Sequence, residues 1–216
     1  VFVFGFNAAN AFQFPDVAKD HWASEEIQIL TDKGVIVGYP DGTFKPDDNV
    51  TRAEFASMAI KALGQQHTTV AQPVAFTDIT EEFWAYDAIQ KALFFDLISC
   101  PPSGEPFRPD DTVTRAESMT VAVNALTTEQ ISAQKAKEVL SRKYADADKI
   151  PEEFIIPAGK AEILDMLVVM PSDGKKNIEA ERPATRAEVA AILYDMMEQA
   201  KLNPNAKLAE AMRKKT

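Results

Sequence analysis

The tetrapeptide Thr-Arg-Ala-Glu occurs three times, as Thr51-Arg52-Ala53-Glu54, Thr114-Arg115-Ala116-Glu117 and Thr185-Arg186-Ala187-Glu188. Each copy stands at the same place in a longer repeat, just before an apolar stretch of helical spacing. A two-helix unit of about 50 residues cannot bury its apolar faces alone, whereas stacked units can. Three copies are also enough to close a ring. The repeat therefore predicts an all-α fold: three helix-loop-helix units in a pseudo-threefold arrangement around a central three-helix bundle, one helix from each unit.

Unit one opens on Phe14-Pro15-Asp16 and His21-Trp22-Ala23. Ile27, Leu30, Val35 and Ile36 follow, with the spacing of a helix of about three turns that Gly34 ends as a C-cap. Gly38-Tyr39-Pro40-Asp41-Gly42-Thr43-Phe44 is a turn-rich loop, and Asp41-Gly42 supplies backbone able to take positive φ. The second helix starts with a capping box. Thr51 is the N-cap and Glu54 stands at N3, each side chain reaching the other's backbone N–H. Val50 and Phe55 occupy the two positions of a hydrophobic staple. Phe55, Met58, Ala59, Ala62 and Leu63 form the apolar stripe, and Gly64 ends it.

Unit two keeps this order: Phe76-Thr77-Asp78, Phe83-Trp84-Ala85, Ile89, Leu97-Ile98, a loop from Ser99 to Phe107, and a stripe of Val121, Ala122, Ala125 and Leu126. Unit three is weaker. It opens on Tyr144-Ala145-Asp146, and Phe154 takes the Trp place. Met170-Pro171-Ser172-Asp173-Gly174 stands for the glycine loop, with Ile178 for its closing Phe. Its stripe is Val189, Ile192, Leu193 and Met196. The units are expected at residues 12–66, 74–128 and 144–200. Ile131, Lys135, Val139 and Leu140 predict a linking helix in 129–143, and 201–216 is a basic tail.

The net charge is −10, and the tail is basic, so the body is strongly acidic. That argues against nucleic acid or an anionic membrane surface as the main partner. A single cysteine, Cys100, excludes an intramolecular disulfide and a thiolate metal cluster. No segment is long and apolar enough to span a bilayer. Val1 to Phe6 is apolar, and Ala9-Asn10-Ala11 fits a small-x-small cleavage pattern, so residues 1–11 read as a signal-peptide remnant.

Catalysis finds no foothold. His21 and His67 are the only histidines and lack metal-ligand spacing. There is no Gly-x-Ser-x-Gly elbow and no phosphate loop. Glu25-Glu26, Glu81-Glu82 and Glu152-Glu153 start helices, where acids suit the dipole. Asp41 to Asn49 is rich in oxygen ligands but departs from the EF-hand order. The chain is expected to be no enzyme, with no metal and no cofactor.

The ordered set Phe-x-Asp, His-Trp-Ala, Gly-Tyr-Pro-Asp-Gly-Thr-Phe, Pro-Asp and Thr-Arg-Ala-Glu resembles the S-layer homology repeat, in three tandem copies over about residues 14–200. The resemblance implies a noncovalent cell-wall anchor in the extracytoplasmic envelope. The ligand it implies is a secondary cell-wall polysaccharide, acidic and pyruvylated, held in grooves between repeats. The alternative is a tether from an outer membrane to modified peptidoglycan, or a protein-protein assembly module that binds no glycan. A cargo or oligomerisation region beyond the tail also fits the resemblance.

The candidate ligand-binding residues follow from that picture. A pyruvate ketal presents a carboxylate, which Arg grips through two parallel charge-assisted hydrogen bonds. The capping box explains Thr and Glu but gives no reason for a cation at N1, which the helix dipole disfavours. Arg52, Arg115 and Arg186 therefore need an outside partner: an anionic ligand, or Asp16, Asp78 or Asp146. Backbone N–H groups at the same helix end would also favour an anion. Trp22 and Trp84 are either sugar platforms or core. Asp16 and Asp78 are either ligand contacts or structural. Tyr39, Asp41 and Gly42 form a plain turn or a ligand lip. Unit two has Cys100-Pro101-Pro102-Ser103-Gly104 in place of the glycine loop, and unit three lacks the Trp, so one or two grooves are expected to be degraded. The best site is expected around the motifs of unit one.

Overall fold

The computed structural model describes residues 14–98, 104–126, 130–166, 171–172 and 175–202. Cys100, residues 1–11, the Met170 and Asp173-Gly174 positions and most of the basic tail lie outside them. The helices are α1 (Ser24–Asp32), α2 (Arg52–Ala62), α3 (Tyr86–Phe94), α4 (Arg115–Leu126), α5 (Ala133–Lys143), α6 (Glu152–Ile163) and α7 (Arg186–Leu202). Helices carry the fold. The strand pairing among the described residues is a two-residue ladder, Pro171–Ser172 with Lys175–Lys176, plus isolated bridges.

All three capping boxes form. Glu54, Glu117 and Glu188 N–H donate to the Thr51, Thr114 and Thr185 hydroxyls, at 3.2, 3.2 and 3.3 Å. The Thr N–H groups donate back to the Glu carboxylates at 2.9, 2.7 and 2.9 Å. Helix α1 ends at Gly34, whose φ is +68°. The matching helix ends in units two and three carry Asp96 and Asp165 at φ +54° and +55°. Asp adopts this left-handed conformation more readily than most residues.

The linking helix forms as expected, with a different inner face. Ala136 and Leu140 are buried and Val139 is half-buried, whereas Lys135 points to water. Ala136 sits where α5 crosses α6 at Gly159, and a Cβ on that glycine would meet the Ala136 Cβ at 2.5 Å. Only glycine permits so close an approach.

The units are joined in a closed cycle. Helix α2 packs on α3, α4 on α6, and α7 on α1, so each second helix lies against the first helix of the next unit. Helix α7 also packs on both α2 and α4. Backbone bonds run the same way round. Val113 N–H donates to Val50 O, Ala184 N–H to Val113 O, and Val50 N–H to Ala184 O, at 2.9, 2.9 and 3.1 Å.

The helix starts complete the cycle. Arg52 and Ala53 N–H donate to Asp111 and Pro109 O; Arg115 and Ala116 N–H to Arg182 and Ala180 O; Arg186 and Ala187 N–H to Asp48 and Pro46 O. A helix leaves its first four N–H groups without intrahelical partners. Here the next unit's backbone takes two of them and the Thr hydroxyl a third. A unit on its own would leave those donors open, which couples the three units into one folding problem.

Candidate functional site

The arginines of the repeated tetrapeptide reach out of their own units. Arg52 Nε donates to Phe107 O at 3.1 Å, Arg115 Nε to Ile178 O at 2.6 Å, and Arg186 Nε to Phe44 O at 2.7 Å. Each guanidinium thus lands on the loop-closing residue of the following unit. Where that residue is aromatic, the guanidinium also lies over its ring: Arg52 over Phe107 at 4.7 Å, and Arg186 over Phe44 at 4.5 Å.

The outside partner of these arginines is not the set Asp16, Asp78 and Asp146. Arg52 Nη1 pairs with Glu117 at 3.2 Å, and Arg115 Nη1 pairs with Glu188. The capping box engages one carboxylate oxygen of each Glu, and on Glu117 and Glu188 the preceding unit's Arg takes the other. Sequence reasoning missed this second role. The signal was present, because a capping box leaves one Glu oxygen unused. Burial lowers the pKa of Arg52 and of Arg115, while Glu117 and Glu188 act in the opposite direction. Burial raises the Glu188 carboxyl, but Arg182 and Arg115 outweigh it and hold the group below its ordinary value.

Arg186 differs from the other two. It has no ion pair among the described residues. Its Nη2 donates to Val37 O at 2.8 Å, and its guanidinium also lies over the Tyr39 ring at 4.7 Å. Nη1 makes no hydrogen bond there, in a residue that is buried at 4% exposure.

The aspartates hold loops. Asp16 accepts from Phe44 N–H at 2.9 Å and Lys45 N–H at 2.6 Å. Asp78 accepts from Phe107 and Arg108 N–H, and Asp146 from Ile178 and Glu179 N–H. Lys45, Arg108 and Glu179 have φ of +57°, +61° and +52°. Each carboxylate therefore clamps a strained backbone turn that places the carbonyl its unit offers to an arginine. Burial raises the Asp16 carboxyl, and the Phe44 and Lys45 N–H groups outweigh that, leaving it below its ordinary value.

In the glycine loop, Asp41 accepts from Thr43 N–H at 3.0 Å and Thr43 Oγ1 at 2.6 Å, which lowers its pKa. Gly42 takes φ +84°. Asp41 and Gly42 thus build the turn, while Tyr39 is half-buried between Lys45 and Arg186. Trp22 and Trp84 are 40% and 63% exposed, so neither is core. The helix-start N–H groups expected to draw an anion are already bonded to the next unit, which removes them from the site.

Three inter-unit sites result, and they are unequal. Arg52 faces the altered loop of unit two, beside a cavity of about 80 Å³ lined largely by apolar groups including Leu97, Ile98, Phe107 and Phe154. Arg115 faces Ile178 and is buried with Glu188 at 3% exposure each. The intact loop of unit one faces Arg186, from unit three.

Comparison with known proteins agrees with this cyclic repeat. The family model of the S-layer homology domain matches residues 13–56 and 75–117. The chain carries S-layer homology domains. An exoglucanase XynX of Acetivibrio thermocellus is 31% identical over 186 residues, 86% of this chain and 16% of that protein. A cellulosome-anchoring protein of the same organism is 35% identical over 120 residues, 54% of this chain and 26% of that protein. An S-layer protein of Bacillus licheniformis is 34% identical over 118 residues, 55% of this chain and 13% of that protein. This S-layer homology chain therefore spans about a quarter or less of those relatives' lengths. It belongs to the cell envelope, outside the cytoplasm, in an attachment role. No helix among the described residues is long and apolar enough to cross a membrane.

Proposed function

We infer that this chain anchors its protein noncovalently to the wall by gripping a carboxylate-bearing secondary polysaccharide in the groove between units three and one. The three units are taken to lie around a pseudo-threefold axis, with α2, α4 and α7 as the central bundle; the closed cycle of backbone bonds supports this. One observation carries the choice of groove. Arg186 is the only one of the three repeat arginines with no carboxylate partner and an uncommitted Nη1 among the described residues. A guanidinium so placed can complete a charge-assisted bond to an incoming carboxylate without first breaking an ion pair. The half-buried Tyr39 ring lies beside it in the same groove. Arg52 and Arg115 would have to surrender Glu117 and Glu188 to do the same.

The test is co-sedimentation of the full chain with wall sacculi, before and after acid stripping of the secondary polymer. Arg186→Lys keeps the charge and loses the planar fork. Binding should fall at least about tenfold on stripping and on this substitution, the equivalent of one lost charge-assisted bond. Binding indifferent to both would sink the reading and leave peptidoglycan itself, or a protein, as the partner.

A further inference from the structure

The junction between units one and two borders a cavity that shares no residue with the three inter-unit sites. Two neighbouring side chains of α3 pin the junction at its ends. Lys91 Nζ donates to Gln66 O at 2.7 Å. The Gln90 amide accepts from Val74 N–H and donates to Val74 O, at 2.8 Å each. Gln90 and Lys91 are 3% and 9% exposed, and polar groups buried so deeply are costly unless bonded. Counted from the left-handed helix ends Gly34, Asp96 and Asp165, the same pair is Gln28-Ile29 in unit one and Gly159-Lys160 in unit three. Only unit two carries the two pins. Between them, Thr69, Val70, Ala71 and Gln72 make no hydrogen bond to any described residue.

This held but unbonded segment contributes one wall of a cavity of about 320 Å³, and Glu81, Tyr86 and Asp87 contribute the other. Tyr86 is half-buried, and its hydroxyl has no hydrogen-bond partner among the described residues. Glu81 has no ion pair there, and Asp87 has only a 3.7 Å pairing with Lys91. Burial raises the Tyr86 phenol, and Glu81 and Asp87 add to the push, so the hydroxyl keeps its proton and can donate.

We propose that this cavity is a separate binding site for a sugar ring that bears a free amino group. An aromatic side chain among uncommitted hydroxyl, carboxylate and backbone groups suits a sugar, whose C–H face covers the ring while its hydroxyls replace water on the polar groups. The volume stands at the lower end of small-molecule sites and holds a single ring rather than a chain. Charge selects which sugar. Lys91 is spent on Gln66 O and Asp87, so Glu81 leaves the cavity with an excess of negative charge, which attracts an ammonium and repels a carboxylate. His67 and Thr69 add polar groups on the junction side.

Nitrogen-15 NMR of the full chain at pH 7, titrated in turn with glucosamine, glucose and glucuronic acid, compares three charges on one ring. Amide shifts should cluster at residues 66–74 and 81–91. Glucosamine should bind about two- to fivefold more tightly than glucose, the range for one exposed charge pair, and glucuronic acid should bind weakest. Glu81→Gln should at least halve the preference for glucosamine and leave glucose binding and Tm unchanged, since Glu81 holds nothing in the fold. Tyr86→Phe, which loses only the hydroxyl, should weaken glucose and glucosamine alike. Shifts confined to other regions, no shifts at the junction up to about 50 mM sugar, or equal affinities for the three sugars would overturn the proposal. So would a Glu81→Gln variant that keeps the full preference. Arg186 takes no part, so the result stands apart from that of the sacculus assay.

Discussion

Replacing Arg115 with Met separates a strut from a ligand contact. Met retains much of the stem volume and removes the guanidinium. The bonds lost include Nε to Ile178 O at 2.6 Å and Nη1 to Glu188. Both charged side chains are 3% exposed, so water cannot replace what is lost. Removing one member of a buried ion pair costs about 3–5 kcal/mol. Glu188 keeps Arg182 at 2.5 Å and the Thr185 N–H at 2.9 Å, which puts its share at the low end of that range or below it. The deserted Ile178 carbonyl adds about 1 kcal/mol or more. The sum is about 3–4 kcal/mol, a fall in Tm of about 6–16 °C for a chain of this size. Urea unfolding followed by circular dichroism measures it. Glu188 is held below its ordinary value, so its contribution is present above pH 4.5 and lost as pH falls through the folded value. With Arg115 gone that folded value rises, and the acid midpoint should move up. A loss under about 1 kcal/mol with an unchanged acid midpoint would refute the buried-strut account.

Asp16→Ala removes the acceptor for Phe44 and Lys45 N–H and frees a left-handed turn, with an expected cost of about 1–3 kcal/mol at neutral pH. Since the Asp16 carboxyl is held low, that difference should shrink as pH falls below 3.8; urea midpoints at pH 7 and pH 3 that show the same gap would contradict the assignment. Gly159→Ala would drive a Cβ to 2.7 Å from Ala136 Cα, and helix separation should cost about 1–3 kcal/mol in thermal unfolding. An unchanged Tm would show that α5 and α6 are not in close register.

Much of the fold is legible in one dimension because its signals are local. Thr at the N-cap and Glu at N3 are three residues apart, and all three boxes form as written. Helix-ending Gly34 and the turn at Gly42 need only their own φ. The stripes on α2, α4 and α7 follow the helical period. The linking helix was found from its spacing, although Ala136 and not Lys135 faces inward, since Gly159 on another helix decides which face closes.

The site is a different matter. Sequence alone supplied its parts: three arginines, three aspartates, an intact loop in unit one and two tryptophans. It could not say which arginine meets which loop, because that pairing is set by the direction in which the units close. Arg52 crosses 55 residues to Phe107, and Arg115 crosses 63 to Ile178. Arg186 crosses 142 to reach Phe44, which brings the weakest unit's arginine to the best-kept loop. No local rule links residues so far apart. Only the packing of each second helix on the next unit's first helix fixes the partners, and with them which guanidinium is paired with a carboxylate and which is not.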